Sequence, residues 1–215
     1  MGSATEIRTT GWPAFASASM ALSCAESGAD SSRKLTNEYE KTGSLPGEEP
    51  FLTADGIKFY TDEANQKALS NGKSLVGCLK AHLNRLQAGD YLGLLAYVEM
   101  KDAHEKMLQE ARLAVRDTKR VATCLGFGPR FLHSTGQAYK GGSNTGVFLQ
   151  ITADDAADLA VPGQRYTFGV VKAAQARGDF EVLSQRNRRA LRVHLPADVT
   201  GGLKTLTAAL QEALK

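Results

Sequence analysis

The sequence predicts an α/β fold with a mostly parallel sheet flanked by helices and with a poorly structured N-terminal segment. Three observations support this prediction. Short apolar runs alternate with amphipathic helical patterns after residue 50, as in parallel α/β proteins. The run YLGLLAYV at 91–98 is almost entirely apolar, which is typical of a strand buried on both faces. Residues 1–32 are rich in Ser, Ala, Gly and Thr and have no sustained apolar period, so they bury little surface.

Composition shifts divide the chain into three parts. Residues 1–32 are expected to be a flexible or aberrant N-terminal segment, and residues 33–50 a short helix followed by a linker. The linker prediction depends on GSLPGEEP at 43–50, where glycines and prolines interrupt any regular element. Residues 51–215 then form one α/β domain.

The elements follow from capping signals and apolar spacing. Ser74 is the predicted N-cap of one helix, Gly89 follows that helix, and Asp198 caps the last helix. Residues 167–187 are predicted to form two short helices, interrupted at Gly178-Asp179. The predicted strands are 57–60, 91–98, 121–125, 147–151 and 190–195, and the other predicted helices are 33–42 and 101–118.

Bulk properties exclude several classes of function. The net charge of +3 and the 7% aromatic content do not indicate a nucleic-acid partner. No run of 18 apolar residues occurs, so we expect no membrane partner and a cytoplasmic location. The histidines are not spaced as metal ligands, and no dinucleotide or P-loop motif is present. The sequence therefore predicts neither a metal nor a cofactor.

The segment GFGPRFLHSTGQAYKGGSNTG at 126–146 is the strongest candidate for a ligand site. It contains six glycines, and no Asp or Glu occurs between Asp117 and Asp154. Glycines let backbone N–H groups approach a ligand, and the cations of the segment favour an anion such as a sugar phosphate. The same composition is also that of an irregular loop whose glycines only serve turns.

Six polar side chains of this segment are the candidate substrate-binding residues. Their hydroxyl, amide and cationic groups suit phosphate and sugar oxygens. Alternatively, Ser134 and Thr135 cap a helix that starts near Gly136, and His133 is structural. The candidates are Arg130, His133, Ser134, Thr135, Gln137 and Lys140.

Two charged clusters lie outside this segment. Asp154, Asp155 and Asp158 resemble the acidic start of a helix, where they complement the helix dipole. An arginine cluster within 186–192 is expected to be a solvated surface, with docking to an acidic partner as the alternative.

The segment at 126–152 and the later segment VPGQRYTFGVVKAAQARGDFEVLSQRNRRALRVHL resemble the C-terminal region of a family of bacterial glucose-6-phosphate isomerases. The similarity is greatest to the isomerase half of bifunctional transaldolase/phosphoglucose isomerase proteins, and it covers roughly residues 33–205. The resemblance implies an α/β sugar-isomerase fold and a role in glycolysis, gluconeogenesis and, with transaldolase, the pentose phosphate pathway. It implies proton transfer between C1 and C2 without a metal.

The chain departs from the family where the family's catalytic lysine motif is expected. Residues 22–32, LSCAESGADSS, stand at that place and do not match the motif, and the family's glutamate and histidine segments have no counterpart. We therefore assign no catalytic residue, and we expect this chain to be an incomplete and inactive portion of the isomerase. Its expected partners are a sugar phosphate and the remainder of the isomerase or another subunit. The alternative is a sugar-phosphate-binding or oligomerisation module without catalysis.

Overall fold

The computed structural model describes residues 18–215, with side chains described from Gly28 onward. The strands are β1 (Leu52–Ala54), β2 (Ile57–Tyr60), β3 (Tyr91–Tyr97), β4 (Ala122–Phe127), β5 (Gly146–Ala153) and β6 (Arg189–Leu195). The helices are α1 (Ala18–Thr42), α2 (Glu63–Ala68), α3 (Leu75–Leu83), α4 (Asp102–Lys119), α5 (Thr135–Gly141), α6 (Phe168–Gln185) and α7 (Val199–Ala213), with a 3-10 helix at Arg130–His133.

The strands form one six-stranded sheet in the order β1-β2-β6-β5-β3-β4. Strands β6, β5, β3 and β4 are parallel, while β1 and β2 form an antiparallel edge against β6. The α/β prediction with a mostly parallel sheet is confirmed. Strands β3, β5 and β6 are buried nearly throughout, whereas the edge strand β4 is only half-buried, and the burial of β3 explains why 91–98 reads as a continuous apolar run.

Helices cover both faces of the sheet, and alternate residues of each strand belong to different cores. Leu92 and Leu94 pack with α3, α4 and α7 on one face, whereas Leu95 and Tyr97 pack with α5 and α6 on the other. Helix α1 lies outside α5 and α6 and contacts both. The chain leaves β3 through α4 toward β4, and leaves β5 through α6 toward β6. These crossovers diverge between adjacent strands, the arrangement that opens a crevice at the carboxyl ends of an α/β sheet.

Capping explains several element boundaries. The Ser74 hydroxyl accepts a hydrogen bond from the Gly77 N–H at the start of α3, and Asp198 accepts one from the Gly201 N–H at the start of α7. Both N-caps were predicted from the sequence. Helix α3 ends at Leu83, six residues before Gly89, which follows in a left-handed turn with φ of 86°.

Two sequence predictions need correction. Helix α6 is continuous across Gly178-Asp179, where the sequence predicted a break. Helix α1 begins at Ala18, so the predicted boundary at residue 32 falls inside a helix; residues 1–17 lie outside the described residues. A Cβ on Gly178 would lie 2.7 Å from Ser32 Oγ and 3.0 Å from the Gly28 carbonyl oxygen, so this position requires glycine for the contact between the two helices. Gly178 is the place where α1 and α6 cross closely, and it is not a break.

Candidate functional site

A cavity of about 750 Å³ lies among α1, the 3-10 helix, α5 and α6. Its volume lies within the ordinary range of small-molecule sites. No strand residue in the described part of the chain lines it, so it lies beside the sheet and not at the carboxyl ends of the strands. Its polar lining residues include Ser32, Arg33, His133, Gln137, Lys140 and Asp179.

The glycine-rich segment folds over the aromatic core of this face. After β4, a cis Gly128-Pro129 bond leads into the 3-10 helix. A Cβ on Gly128 would lie 2.5 Å from the Tyr97 ring, and one on Gly146 would clash with the Phe148 ring. These positions therefore require glycine for close packing against rings. The packing accounts for part of the glycine content without a ligand.

The structure brings three of the six candidate residues to the cavity. His133, Gln137 and Lys140 line it, whereas the other three, Arg130, Ser134 and Thr135, are exposed and do not. The Ser134 hydroxyl donates a hydrogen bond to the Phe131 carbonyl oxygen at 3.3 Å, and Ser134 makes no side-chain cap for α5. Helix α5 nevertheless starts at Thr135, one residue before the helix start that the alternative interpretation predicted.

Lys140 is not a free cation. Its Nζ lies 2.9 Å from Asp179 Oδ1, and both side chains are only 3% exposed. Burial raises the pKa of the Asp179 carboxyl above its usual range, while the Lys140 ammonium opposes that shift. The Tyr97 hydroxyl lies 3.5 Å from Asp179 Oδ2, and burial raises the pKa of this tyrosine as well. The acid-free segment therefore lies beside a carboxylate that α6 supplies.

Gln137 offers a polar atom that the described residues leave unpaired. Its Nε2 donates to the Leu132 carbonyl oxygen at 2.6 Å, which fixes the orientation of the amide. Its Oε1 is buried and accepts no hydrogen bond from any described residue. Burying an amide oxygen without a donor is costly, so a donor from a ligand or a water would stabilise this arrangement.

No sequence signal placed Asp179 at the cavity, and the residue was predicted only as part of a helix break. The Gly178-Asp179 pair resembles a helix break, and the pairing of Asp179 with Lys140 spans 39 positions of the chain. The lining from α1 was also missed, because the small polar residues of 28–36 have no apolar period.

The two charged clusters have a burial and hydrogen-bond partners that differ from those the sequence predicted. Asp158 accepts a hydrogen bond from the Gly169 N–H at the start of α6, so it does serve a helix N-terminus, but of a helix that begins ten residues later. Arg188 and Arg192 are buried, at 6% and 4% exposed, so the prediction of a solvated arginine surface is wrong for both. Arg188 donates to the carbonyl oxygens of Lys140 and Gly142 and thereby holds the end of α5.

The described residues contain no group of three or more His, Cys, Asp or Glu side chains placed to hold a metal ion. His82 and His104 are buried on α3 and α4, and each makes a hydrogen bond to a backbone carbonyl oxygen. Among the described helices, none combines the length and apolar character needed to cross a membrane.

Comparisons with known proteins define the fold and nothing finer. No protein-family model matches the chain, and no curated protein matches its sequence. A solved structure of a hypothetical protein from Thermus thermophilus, TT0462, is similar with a TM-score of 0.58 and 14% sequence identity. The similarity covers 70% of this chain and 42% of that one, so the matched region spans less than half of the solved structure. The chain therefore has the α/β fold seen in that protein.

Proposed function

We propose that this chain is the C-terminal α/β domain of a glucose-6-phosphate isomerase, of the kind also found fused to transaldolase. In this proposal the cavity among α1, α5 and α6 contacts the sugar phosphate, and the domain works in the cytoplasm with the rest of the isomerase or another subunit. The reaction comes from the sequence resemblance, and the contact surface comes from the cavity.

The observation that carries the proposal is the convergence of His133, Gln137 and Lys140 on one cavity. All three belong to the segment that resembles the isomerase family, and they come from two short consecutive helices. A sugar phosphate needs acceptors and donors for its hydroxyl groups and positive charge for its phosphate. Gln137 Oε1 accepts from a hydroxyl, and Arg33 and His133 lie at the same cavity for the phosphate.

The Lys140–Asp179 pair suits recognition of a polyol better than recognition of a phosphate. The pair is close to neutral overall, so it adds little net attraction for a dianion. An ammonium has three N–H donors and a carboxylate has several acceptor positions, so both groups retain capacity for sugar hydroxyls. Ligand pockets in general orient their ligands with a few convergent polar groups, and the buried charged pair would do the same for a sugar.

The same geometry argues that the isolated chain does not isomerise sugars. Moving a proton between C1 and C2 requires a base within hydrogen-bond reach of the carbon acid. Among the residues whose side chains the structure describes, the carboxylates that line the cavity are Asp30 and Asp179, and each lies in an ion pair, with Arg33 at 3.6 Å and Lys140 at 2.9 Å. We therefore propose a supporting role for this domain and assign it no catalytic residue.

The test is a calorimetric titration of the purified chain with fructose 6-phosphate, together with a coupled assay of isomerase turnover. We expect binding without turnover, and we expect Gln137→Ala to weaken binding by about tenfold, since a hydrogen bond to the ligand is lost. The matched control is Gln211→Ala, an exposed glutamine on α7, which packs with α3 and α4 on the other face of the sheet.

The outcomes separate the candidate functions. No binding at millimolar ligand would contradict the sugar-phosphate contact and leave an oligomerisation module as the better description. Turnover by this chain alone would contradict the supporting role. Restored turnover only when an isomerase core is added would support the domain assignment over a free-standing binding module. Arg188 is unsuitable for an oligomerisation test, because its side chain is buried under α5.

A further inference from the structure

A second cavity of about 240 Å³ lies where the crossovers of β3 and β5 diverge. Tyr97 from the end of β3 and Thr152 from the end of β5 line it, and these two residues are register partners. His194 from β6 lines it as well. This is the place in an open α/β sheet where ligands most often bind. None of its lining residues also lines the cavity described above.

Arg192 is the central cation of the second cavity. It lies on β6 and is 4% exposed, and its guanidinium carbon is 4.3 Å from the centre of the Tyr60 ring and 5.6 Å from that of Phe180. Stacking on aromatic rings fixes the plane of the guanidinium. Its Nη2 lies 2.8 Å from Glu48 Oε2, and its buried Nε finds no acceptor among the described residues.

Arg177 provides a second guanidinium at the same place. Its Nε lies 2.9 Å from Glu48 Oε2, the same oxygen that Arg192 contacts. One carboxylate therefore stands between two guanidinium groups. The other basic side chains of the cavity, Lys172 and His194, each contact an acid of their own, Asp155 and Asp154 respectively. The excess positive charge is thus localised on the two arginines.

Glu48 comes from a segment with few other attachments. It lies in GSLPGEEP at 43–50, which has no regular secondary structure, and it is 36% exposed. Among the described residues, the backbone hydrogen bonds nearest to this segment are at its ends, from Gly43 N–H and from Phe51 N–H. The Glu48 carboxylate is therefore the group of this ion-pair cluster that another anion displaces most readily.

Glu48 and the two arginines also separate the second cavity from a neighbouring cavity. Glu48, Tyr60, Arg177 and Arg192 line both the second cavity and a third one of about 330 Å³. Moving Glu48 aside would join the two spaces into a pocket with the guanidinium groups between them. The outer part carries acids, among them Glu49 and Glu181, which accept hydrogen bonds from hydroxyl groups and repel a second anionic group.

We infer that Arg177 and Arg192 form an anion site for a phosphate monoester with a neutral, hydroxylated body, and that Glu48 occupies this site in the free protein. The phosphate replaces the Glu48 carboxylate between the two guanidinium groups, whose planar forks match phosphate oxygens in pairs. The linker segment then moves away with Glu48. This site is separate from the isomerase proposal and does not depend on it.

The experiment compares three probes by calorimetry on the full chain: inorganic phosphate, glucose 6-phosphate and glucose. The inference predicts that both phosphate-containing probes bind at the two arginines, the monoester more tightly, and that glucose does not bind there. Arg177→Gln weakens binding about tenfold, since a charge-assisted hydrogen bond is lost, and Glu48→Gln tightens it by about threefold to tenfold. The control Arg116→Gln, an exposed arginine on α4, leaves binding unchanged.

Each outcome decides the inference. Inorganic phosphate that binds equally to wild type and Arg177→Gln, or no gain in Glu48→Gln, would overturn it, and so would glucose binding that Arg177→Gln weakens. To distinguish this site from the first cavity, the variants are compared with inorganic phosphate as the probe, because Arg177 lines this site and does not line the first cavity. In Glu48→Gln the two guanidinium groups lose their counter-charge, so its melting temperature rises with phosphate more than that of wild type. Melting temperatures of the two proteins that rise equally with phosphate would also contradict the inference.

Discussion

Replacing Lys140 by methionine tests how much the fold depends on the buried pair with Asp179. Methionine keeps most of the length and apolar volume of the lysine stem, so packing changes little. It removes the ammonium that lies 2.9 Å from Asp179 Oδ1. Among the described residues, the carboxyl then keeps only the Tyr97 hydroxyl, at 3.5 Å, which is long for a hydrogen bond.

The expected loss can be worked from the environment of Asp179. Removing one partner of a buried ion pair lowers the free energy of unfolding by about 3–5 kcal/mol. The variant escapes part of this cost by protonating Asp179 in the folded state. Starting from an unfolded pKa of about 3.9, that protonation costs about 4 kcal/mol at pH 7 and about 1.5 kcal/mol at pH 5. We therefore expect a loss of about 3–4 kcal/mol at pH 7, which shrinks on acidification.

The sign of this pH dependence follows from proton binding. Between the unfolded and the raised folded pKa of Asp179, the folded state holds a proton that the unfolded state lacks, so stability rises as pH falls. Urea unfolding of wild type and Lys140→Met at both pH values measures the difference. The double variant Lys140→Met/Asp179→Asn recovers most of the loss, because no charge stays buried. Lys67→Met, at an exposed pair with Glu63, changes stability by less than about 0.5 kcal/mol. A loss below about 1 kcal/mol, or the same loss at both pH values, would refute the reasoning.

Three further predictions follow from the described contacts. Burial lowers the pKa of His82 to about 3, so the free energy of unfolding of wild type falls by up to about 1.4 kcal/mol per pH unit as pH drops below about 6.5. His82→Gln shows a shallower pH dependence of this free energy in urea unfolding, and equal slopes would contradict the buried neutral histidine. Gly178→Ala places a methyl group 2.7 Å from Ser32 Oγ and costs about 1–3 kcal/mol, with faster amide exchange in α1; unchanged exchange there would show that α1 and α6 do not cross closely. Asp158→Ala removes the acceptor for the Gly169 N–H and destabilises by about 1 kcal/mol in thermal unfolding, whereas Glu110→Ala, at an exposed position of α4, serves as a control for loss of a surface acid.

Local signals were sufficient for most of the fold. Strand β3 is apolar in nearly every position because helices cover both faces of the parallel sheet, and that pattern is visible in the sequence itself. Ser74 and Asp198 cap their helices through hydrogen bonds to residues three positions away, so the information lies within one turn. Part of the candidate site was also predictable, since His133, Gln137 and Lys140 do share one cavity.

What the sequence by itself determined was most of the strands and helices and the polar segment after β4, because periodicity, capping and composition act over a few residues. Only the tertiary structure decided which charged groups are paired at each site, and therefore the net charge of each site. Asp179 neutralises Lys140 from 39 positions away, and Glu48 reaches two arginines from a segment that sequence analysis treats as a linker. Ion pairs of this kind depend on which helices pack together, and electrostatic energy depends on distance in space and on burial, neither of which sequence order encodes.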